Sequence, residues 1–217
     1  MEIKMMKNIM EANDRLAGEN RALFRDRGIT VINVMASPGS GKTSLILHVI
    51  KSLGSELGIG VIEGDIASSI DAETIDRLGI PVYQINTGGG CHLDAKMIRT
   101  ALQGLTLRKK SLLFIENVGN LVCPSTFDLG ETFKLVIASV PEGHDKPFKY
   151  TSMFMAADVI ILNKKDLLPY TDFERESFYK GVRAINSKAP VLELSCRTGE
   201  GMQTFISWLR EHVREEL

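Results

Sequence analysis

The sequence predicts an α/β fold with a doubly wound, mostly parallel sheet. Short runs rich in β-branched residues alternate with longer stretches in which polar and apolar residues mix. Because the short runs are apolar throughout, they fit strands that are covered by helices on both faces of a sheet. The predicted strands are 29–36, 61–62, 82–85, 112–115, 135–139, 159–162 and 191–194.

Length and composition narrow the classes of function. The 217 residues fit a single α/β domain. Lys and Arg number 26 against 27 Asp and Glu, so no positive excess favours nucleic-acid binding. No apolar run approaches the roughly 20 residues that span a bilayer, and we expect a cytoplasmic protein without membrane contact. The 3 cysteines are too few for a disulfide framework and instead suggest thiol chemistry or metal binding.

An amphipathic helix is predicted over residues 5–25, before the first strand. Its apolar residues recur every seven positions at Ile3, Met10, Ala17 and Phe24. We therefore assign residues 1–27 to an N-terminal helix and 28–217 to the main domain. The apolar stripe must be buried, either on the helix's own domain or on a partner protein. The pattern alone leaves both alternatives open.

A phosphate-binding loop follows the first predicted strand. Residues 36–43 read ASPGSGKT and lie between a strand and a helix-like stretch, as a Walker A motif requires, although Ala36 replaces the first glycine. Backbone N–H groups of such a loop converge on phosphates, and the helix N-terminus adds positive charge. The lysine reaches the β- and γ-phosphates, and the following hydroxyl binds Mg²⁺. The nucleotide-binding residues predicted here are Pro38, Gly39, Ser40, Gly41, Lys42, Thr43 and Ser44.

Two acidic residues at predicted strand ends complete a magnesium site. Asp65 closes the second strand, and Glu116 follows the fourth in the sequence ENVG at 116–119. Carboxyl ends of parallel strands are where open α/β sheets bind ligands. We predict that both carboxylates serve Mg²⁺ together with Thr43, and that the Gly119 N–H senses the γ-phosphate. The predicted catalytic residues are Lys42, Thr43, Asp65 and Glu116.

The tetrad NKKD at 163–166 predicts that the base is guanine. A carboxylate at Asp166 accepts hydrogen bonds from guanine N1–H and its 2-amino group, whereas adenine offers neither donor. Lys164 is expected to lie along the base, and Asn163 to tie this segment to the phosphate loop. A second segment after the last strand is predicted to donate a backbone N–H to the guanine carbonyl, from Ser195 and Cys196. These features together predict a P-loop G-domain that binds GTP and GDP.

A separate group of residues suits a transition metal. Cys91 and His92 follow a run of three glycines, and Cys123 lies just beyond the ENVG segment. Thiolate and imidazole ligands favour Zn²⁺ or Ni²⁺ over Mg²⁺. Three ligands are fewer than a closed zinc site uses, so the site is either open or shared across a dimer. A buried cysteine and a surface histidine without metal are the alternative.

Three segments resemble those of the HypB family of hydrogenase-maturation GTPases, which belongs to the SIMIBI class. They are TGGGCHLD at 87–94, ENVGNLVCP at 116–124 and EGHDKPFKY at 142–150. The resemblance implies a GTP-hydrolysing metallochaperone that delivers nickel and holds Ni²⁺ or Zn²⁺ on the Cys/His group. It also implies GTP-dependent homodimerisation, with Lys149 reaching the nucleotide or the partner subunit. The implied partners are the co-chaperone HypA and the large subunit of a NiFe hydrogenase.

The sequence departs from the family pattern in three places. Thr151 stands where the family has a proline, and the sequence contains neither a His-rich segment nor a Cys-x-x-Cys-Gly-Cys motif, so nickel storage and a second tight nickel site are not implied. The Cys-Pro-His motif of the urease-serving relatives is also absent. A urease-type nickel accessory GTPase, a P-loop kinase for a small molecule and a non-catalytic nucleotide-gated scaffold remain as alternatives; the kinase is not expected to carry NKKD.

Overall fold

The computed structural model describes residues 2–66 and 69–216 and contains a parallel sheet of seven strands. The strands are β1 (Ile29–Ala36), β2 (Gly58–Asp65), β3 (Val82–Asn86), β4 (Ser111–Glu116), β5 (Phe133–Ser139), β6 (Val159–Asn163) and β7 (Val191–Glu193). Their order in the sheet is β3-β2-β4-β1-β5-β6-β7, and every neighbouring pair is parallel. The predicted fold class is confirmed, and each predicted strand corresponds to an observed one.

Helices cover both faces of this sheet. They are α1 (Glu2–Arg27), α2 (Lys42–Leu53), α3 (Ile70–Asp76), α4 (Ala95–Gly104), α5 (Lys146–Lys149), α6 (Thr151–Met155), α7 (Arg175–Ile185) and α8 (Met202–Glu216). Single 3₁₀ turns occupy Cys123–Ser125 and Val140–Glu142, and a longer one occupies Lys165–Tyr170. No helix in the described part of the chain is long and apolar enough to cross a membrane.

The two faces of the sheet build separate cores because successive strand residues point to opposite sides. On one face, Ile32 and Val34 of β1 pack with α2 and α8. On the other, Val31 packs with α1 and α4, while Met35 belongs to the cluster around α6 and α7. The strands are thus buried on both sides, which explains why they read as continuous apolar runs.

Strand β2 is longer than the sequence pattern indicates, since its apolar run covers only 61–62. The extra length contains Gly58 and Gly60, and it ends in polar residues. A Cβ at Gly60 would lie 2.2 Å from the Leu107 side chain, so the glycine permits a close approach of the α4–β4 connection. Glu63 is only 3% exposed although its side chain is a carboxylic acid. The glycines and the buried acid interrupt the apolar run, so a pattern based on hydrophobicity does not predict the full length of this strand.

Helix α1 packs on its own domain. Ala17 and Phe24 are 0% and 2% exposed. The buried Asn20 donates through Nδ2 to the carbonyl oxygens of Ala95 (2.9 Å) and Leu129 (3.2 Å). These contacts favour the first of the two alternatives for the apolar stripe. Among the stripe residues, the side chain of Ile3 lies outside the described part of the structure.

A second set of contacts fixes the same helix near the start of α4. The Arg21 guanidinium lies 2.7 Å from each carboxylate oxygen of Asp128, and this ion pair holds the pKa of Asp128 below its usual value against the opposing effect of burial. The Asn13 side chain donates to the Asp128 carbonyl and accepts from Ala95 N at 3.0 Å. Helix α1 is therefore joined to the segment that immediately follows His92.

Candidate functional site

The phosphate loop connects the end of β1 to the start of α2. Gly39 and Gly41 have φ values of +71° and +106°, a region of backbone conformation that favours glycine. A Cβ at Gly41 would also lie 2.3 Å from Asn163 Nδ2, so this position has no room for a side chain. The Ser40 side chain is buried. The loop thus has the conformation that the Walker A pattern requires, and it lies directly against the predicted guanine segment.

A cavity of about 470 Å³ opens beside this loop. It brings together Lys42, Thr43, Asp65, Glu116 and Gly119, all predicted for the magnesium and γ-phosphate region. Pro38, Gly39, Gly41 and Ser44 line it as well. Two further acids line the same cavity and were not predicted from the sequence, namely Glu63 and Asp71. Their carboxylate oxygens and one of Glu116 lie within 4.8 Å of one another.

The acids in this cavity are strongly affected by burial and by one another. Burial and the neighbouring Glu116 raise the pKa of Glu63 to about 9. Burial likewise raises the pKa of Glu116 to about 7, although the nearby Lys42 ammonium, 3.8 Å from its carboxylate, opposes the shift. The Thr43 hydroxyl donates to Glu116 Oε1 at 2.9 Å. Such crowding of carboxylates is stabilised by protons or by cations.

The residues of this cavity fit Mg²⁺. Glu63 Oε2 and Glu116 Oε2 are buried and have no hydrogen-bond partner among the described residues. Mg²⁺ prefers oxygen ligands and commonly uses one or two carboxylates besides phosphates and water. The hydroxyl of Thr43 and the carboxylate of Glu116 are already in contact. A cation beside phosphates at this position would meet oxygen atoms to which no described residue donates a hydrogen bond.

A second cavity, of about 350 Å³, lies on the other side of the phosphate loop. It shares Gly39, Gly41 and Ser44 with the first cavity, so a single ligand can extend from one into the other. Its remaining lining residues are Asn163, Lys164, Asp166, Leu167, Cys196 and Arg197. The predicted base-binding segments thus meet at the position where a nucleotide with its phosphates on the loop would place its base.

Asn163 joins the three segments of this second cavity. Its Nδ2 donates to Ser40 O at 2.8 Å, which ties β6 to the phosphate loop as expected from the sequence. Its Oδ1 accepts from Lys164 N (2.7 Å) and from Cys196 N (3.1 Å). The Lys164 ammonium donates to Gly39 O at 2.7 Å. Asp166 Oδ1 is buried and has no hydrogen-bond partner among the described residues, so it is available to a ligand in this cavity.

The Ser195 and Cys196 backbone N–H groups already have partners inside the protein. Ser195 N donates to Glu200 O at 2.9 Å, and Cys196 N donates to Asn163 Oδ1. These two N–H groups therefore shape the loop in this structure, whereas the next residue, Arg197, lines the cavity. Burial raises the pKa of Cys196 to about 11, so its thiol is neutral. His48 of α2 supports the loop through a 2.6 Å contact between Nε2 and Cys196 O.

The three predicted metal ligands lie close together. Cys91 Sγ is 2.9 Å from Cys123 Sγ and 3.5 Å from His92 Nδ1, and one ligand atom from each residue falls within a 4.8 Å group. The preceding glycines Gly88 and Gly89 have φ values of +60° and +100°. They turn the chain so that two adjacent residues face one point. The predicted grouping is therefore present in the fold.

Local contacts tune this cysteine and histidine group. The hydrogen bond with Cys123 raises the pKa of the exposed Cys91 thiol. Burial lowers the pKa of His92, whose ring stacks on Phe127 with centroids 3.8 Å apart. A neutral imidazole and two adjacent sulfur atoms form a donor set suited to Ni²⁺ or Zn²⁺. Because thiols must lose their protons to bind metal, binding here would release protons.

Lys149 lies apart from both cavities in the described structure. It is exposed on α5 and pairs with Asp145. The segment that leads to it does contact the phosphate loop, because the Ser37 hydroxyl hydrogen-bonds to Glu142. Glu142 also accepts from Ser139 at the end of β5. Lys149 is thus exposed on the helix that follows this contact, seven residues after Glu142.

Comparison with known proteins identifies the family. The family described as CobW/HypB/UreG, nucleotide-binding domain, matches residues 30–193. The hydrogenase maturation factor HypB of Rhizobium leguminosarum bv. viciae is 51% identical over 207 residues, which are 95% of this chain and 69% of that protein. The chain belongs to the HypB family. Its family and its P-loop fold make it a P-loop GTPase.

Solved HypB structures share the whole architecture. HypB from Helicobacter pylori in complex with nickel superposes with a TM-score of 0.89 at 37% identity, covering 94% of this chain and 96% of that one. HypB from Archaeoglobus fulgidus gives a TM-score of 0.86 at 40% identity, covering 94% and 99%. Each of these two HypB structures aligns with 94% of this chain, so the fold described above is that of the HypB family.

Proposed function

We propose that this HypB-family GTPase is a metallochaperone that delivers nickel during maturation of NiFe hydrogenase. The observation that carries the proposal is the position of the segment 116–123. It begins at Glu116 in the phosphate cavity, passes Gly119 beside Pro38 of the phosphate loop, and ends at Cys123, 2.9 Å from Cys91. A change at the γ-phosphate can therefore reach the metal ligands along seven peptide bonds of one segment.

The nucleotide roles follow from the two cavities. We assign residues 38–44 to the phosphates, with Lys42 between the β- and γ-phosphates. Thr43, Asp65 and Glu116 would hold Mg²⁺, which supplies charge neutralisation for the phosphates when bound. Gly119 would detect the γ-phosphate through its N–H. The base would be held by Lys164 and Asp166, with Asn163 tying the base-binding segments together and with Ser195 and Cys196 shaping the loop beside the base.

The cargo site is assigned to Cys91, His92 and Cys123. The H. pylori relative was solved in complex with nickel, and the soft donor set of this chain suits the same metal or zinc. Three ligands leave room for a fourth from a client, or from a second copy of the chain. An incompletely closed site is appropriate for a metal that has to be passed on.

The remaining parts of the proposal concern assembly. The relatives are named hydrogenase maturation factors, and we take that process as the setting, with HypA and the hydrogenase large subunit as partners. We further propose that GTP binding promotes a homodimer, for which the exposed Lys149 on α5 is a candidate contact. In this scheme hydrolysis returns the chain to the monomer and resets the cargo site.

Metal titration combined with sizing tests this proposal. Ni²⁺ added to the full chain should bind through thiolates, with the charge-transfer absorption that such ligands give, and replacement of Cys91 or Cys123 by alanine should remove most of the affinity. Cys196→Ala serves as the matched control, because that thiol is half-buried in the guanine segment. In sizing experiments a GTP analogue should increase the dimer fraction relative to GDP. Tight Ni²⁺ binding that survives both alanine substitutions would contradict the assigned site.

A further inference from the structure

Asn120 contacts the backbone at Cys91, the backbone just before Cys123, and the strand that leads to the phosphate loop. Its backbone N–H donates to Ala36 O at 2.9 Å, at the end of β1. Its side-chain Nδ2 donates to Cys91 O at 3.2 Å. Its Oδ1 accepts from Val122 N at 2.9 Å, one residue before Cys123. A single side chain therefore bridges the backbones that carry the two thiols.

The residue before it is the predicted γ-phosphate sensor. A Cβ at Gly119 would lie 2.9 Å from Pro38 Cγ and 3.1 Å from Pro38 N, so Gly119 rests directly on the phosphate loop. Any rotation of the Gly119 peptide toward a phosphate has to be taken up by its neighbours. Asn120 is the first residue after Gly119 whose side chain reaches the metal loop.

Asn117 provides a contrasting, fixed support for the same loop. It is 1% exposed, and its Oδ1 accepts from Leu93 N at 3.1 Å while its Nδ2 donates to Asn33 Oδ1 at 3.1 Å. Leu93 also fills the space over Gly64, where a Cβ would come within 2.7 Å of its side chain. The backbone just after His92 is thus held to the sheet, whereas the Cys91 side of the loop is held by the half-buried Asn120.

We infer that Asn120 is a positioning residue that sets the arrangement of Cys91 relative to Cys123 according to the bound nucleotide. The inference rests on the proposed function, in which those thiols hold the cargo metal. Movement of Gly119 shifts Asn120, and the side-chain amide carries this shift to Cys91 O and Val122 N together. Without the amide, the Cys91 backbone loses its hydrogen bond to the segment that runs from the phosphate loop to Cys123. Metal affinity then no longer depends on the nucleotide.

Two substitutions at this position separate the contributions of the side chain. Asn120→Ala removes both hydrogen bonds. Asn120→Asp keeps an oxygen acceptor for Val122 N and loses the donor to Cys91 O, with nearly the same shape. Ser125→Ala is the matched control, because its hydroxyl donates to Val122 O at 2.9 Å in the same turn and, among the described residues, makes no hydrogen bond to Cys91 or the phosphate loop.

The test is a Ni²⁺ titration of the full chain, once with GDP and once with a GTP analogue. Binding is monitored through the thiolate-to-metal charge-transfer absorption. We expect the affinity ratio between nucleotide states to be about 5- to 150-fold for the unsubstituted chain and for Ser125→Ala. For both Asn120 variants we expect a ratio near one and an altered absorption band, with GTP hydrolysis unchanged. A ratio that is retained in both Asn120 variants would overturn the inference and leave the proposed function intact.

The same titration distinguishes failure of the proposed function. If the unsubstituted chain binds Ni²⁺ without Cys91 and Cys123, the cargo site itself is wrong, and the positioning role is overturned with it. If the unsubstituted chain uses those thiols but binds Ni²⁺ equally in both nucleotide states, Asn120 has no coupling to transmit. That result overturns the positioning role while leaving the metal site in place.

Discussion

Replacing Asp166 by Asn tests how the chain selects guanine. Asp166 Oδ1 is buried without a protein partner, so its hydrogen bonds to the base would form largely out of water. Hydrogen bonds to charged groups contribute about 1.5–3 kcal/mol each. The substitution would remove the negative charge from both hydrogen bonds that Asp166 accepts from guanine. The amide of asparagine also turns a donor toward the guanine 2-amino group. We therefore expect GTP affinity to fall by about 10²- to 10⁴-fold.

The assay is competition of GTP, ATP and XTP against a fluorescent guanine nucleotide. Xanthine carries a carbonyl at position 2, to which the new amide can donate, so Asn should improve XTP binding relative to GTP. Lys42→Ala is the control, because loss of a phosphate contact should weaken all three nucleotides together. ATP binding as strong as GTP binding in the unsubstituted chain would show that Asp166 does not select guanine.

Three further predictions address stability and assembly. Phe24→Ala should destabilise the fold by about 3–5 kcal/mol, as large-to-small core changes do. Urea unfolding measures this loss of stability. A loss below about 1 kcal/mol would show that α1 is only loosely attached to the domain. Between pH 4.5 and about 9 folded Glu63 retains a proton that the unfolded chain releases, so stability of the nucleotide-free protein should decline as pH rises. Glu63→Gln should reduce that decline in urea titrations at pH 6 and pH 8, and an unchanged slope would contradict the shifted pKa. Lys149→Ala should reduce dimer formation with a GTP analogue while monomer nucleotide affinity is preserved, and identical sizing profiles would exclude the contact.

The sheet was predictable because its strands are buried on both faces and read as apolar runs. The same physical signal failed in β2, where glycines and the buried Glu63 interrupt the run. Glu63 and Asp71 escaped prediction as site residues because neither belongs to a recognisable motif. Only the packing of β2 and α3 beside the phosphate loop brings them into the cavity.

The nucleotide and metal residues were predictable where the chemistry requires local sequence, as in the phosphate loop, NKKD and the Cys-His pair. Roles that depend on tertiary contacts were not. Nothing in the sequence indicates that Asn163 also holds Cys196 N, or that Asn120 bridges two distant segments. The packing of α1 on its own domain could not be predicted either, because an amphipathic stripe does not indicate which surface covers it.

The coupling of GTP to the metal site is tested most directly by isothermal titration of Ni²⁺ into the GDP-bound and the GTP-analogue-bound chain. Because Glu116, Gly119 and Cys123 belong to one segment, we predict different Ni²⁺ affinities in the two states, with a coupling free energy of about 1–3 kcal/mol. Both affinities should fall as pH is lowered, since the thiols must be deprotonated to bind. Equal affinities and stoichiometries in the two nucleotide states would contradict the coupling of GTP to the metal site.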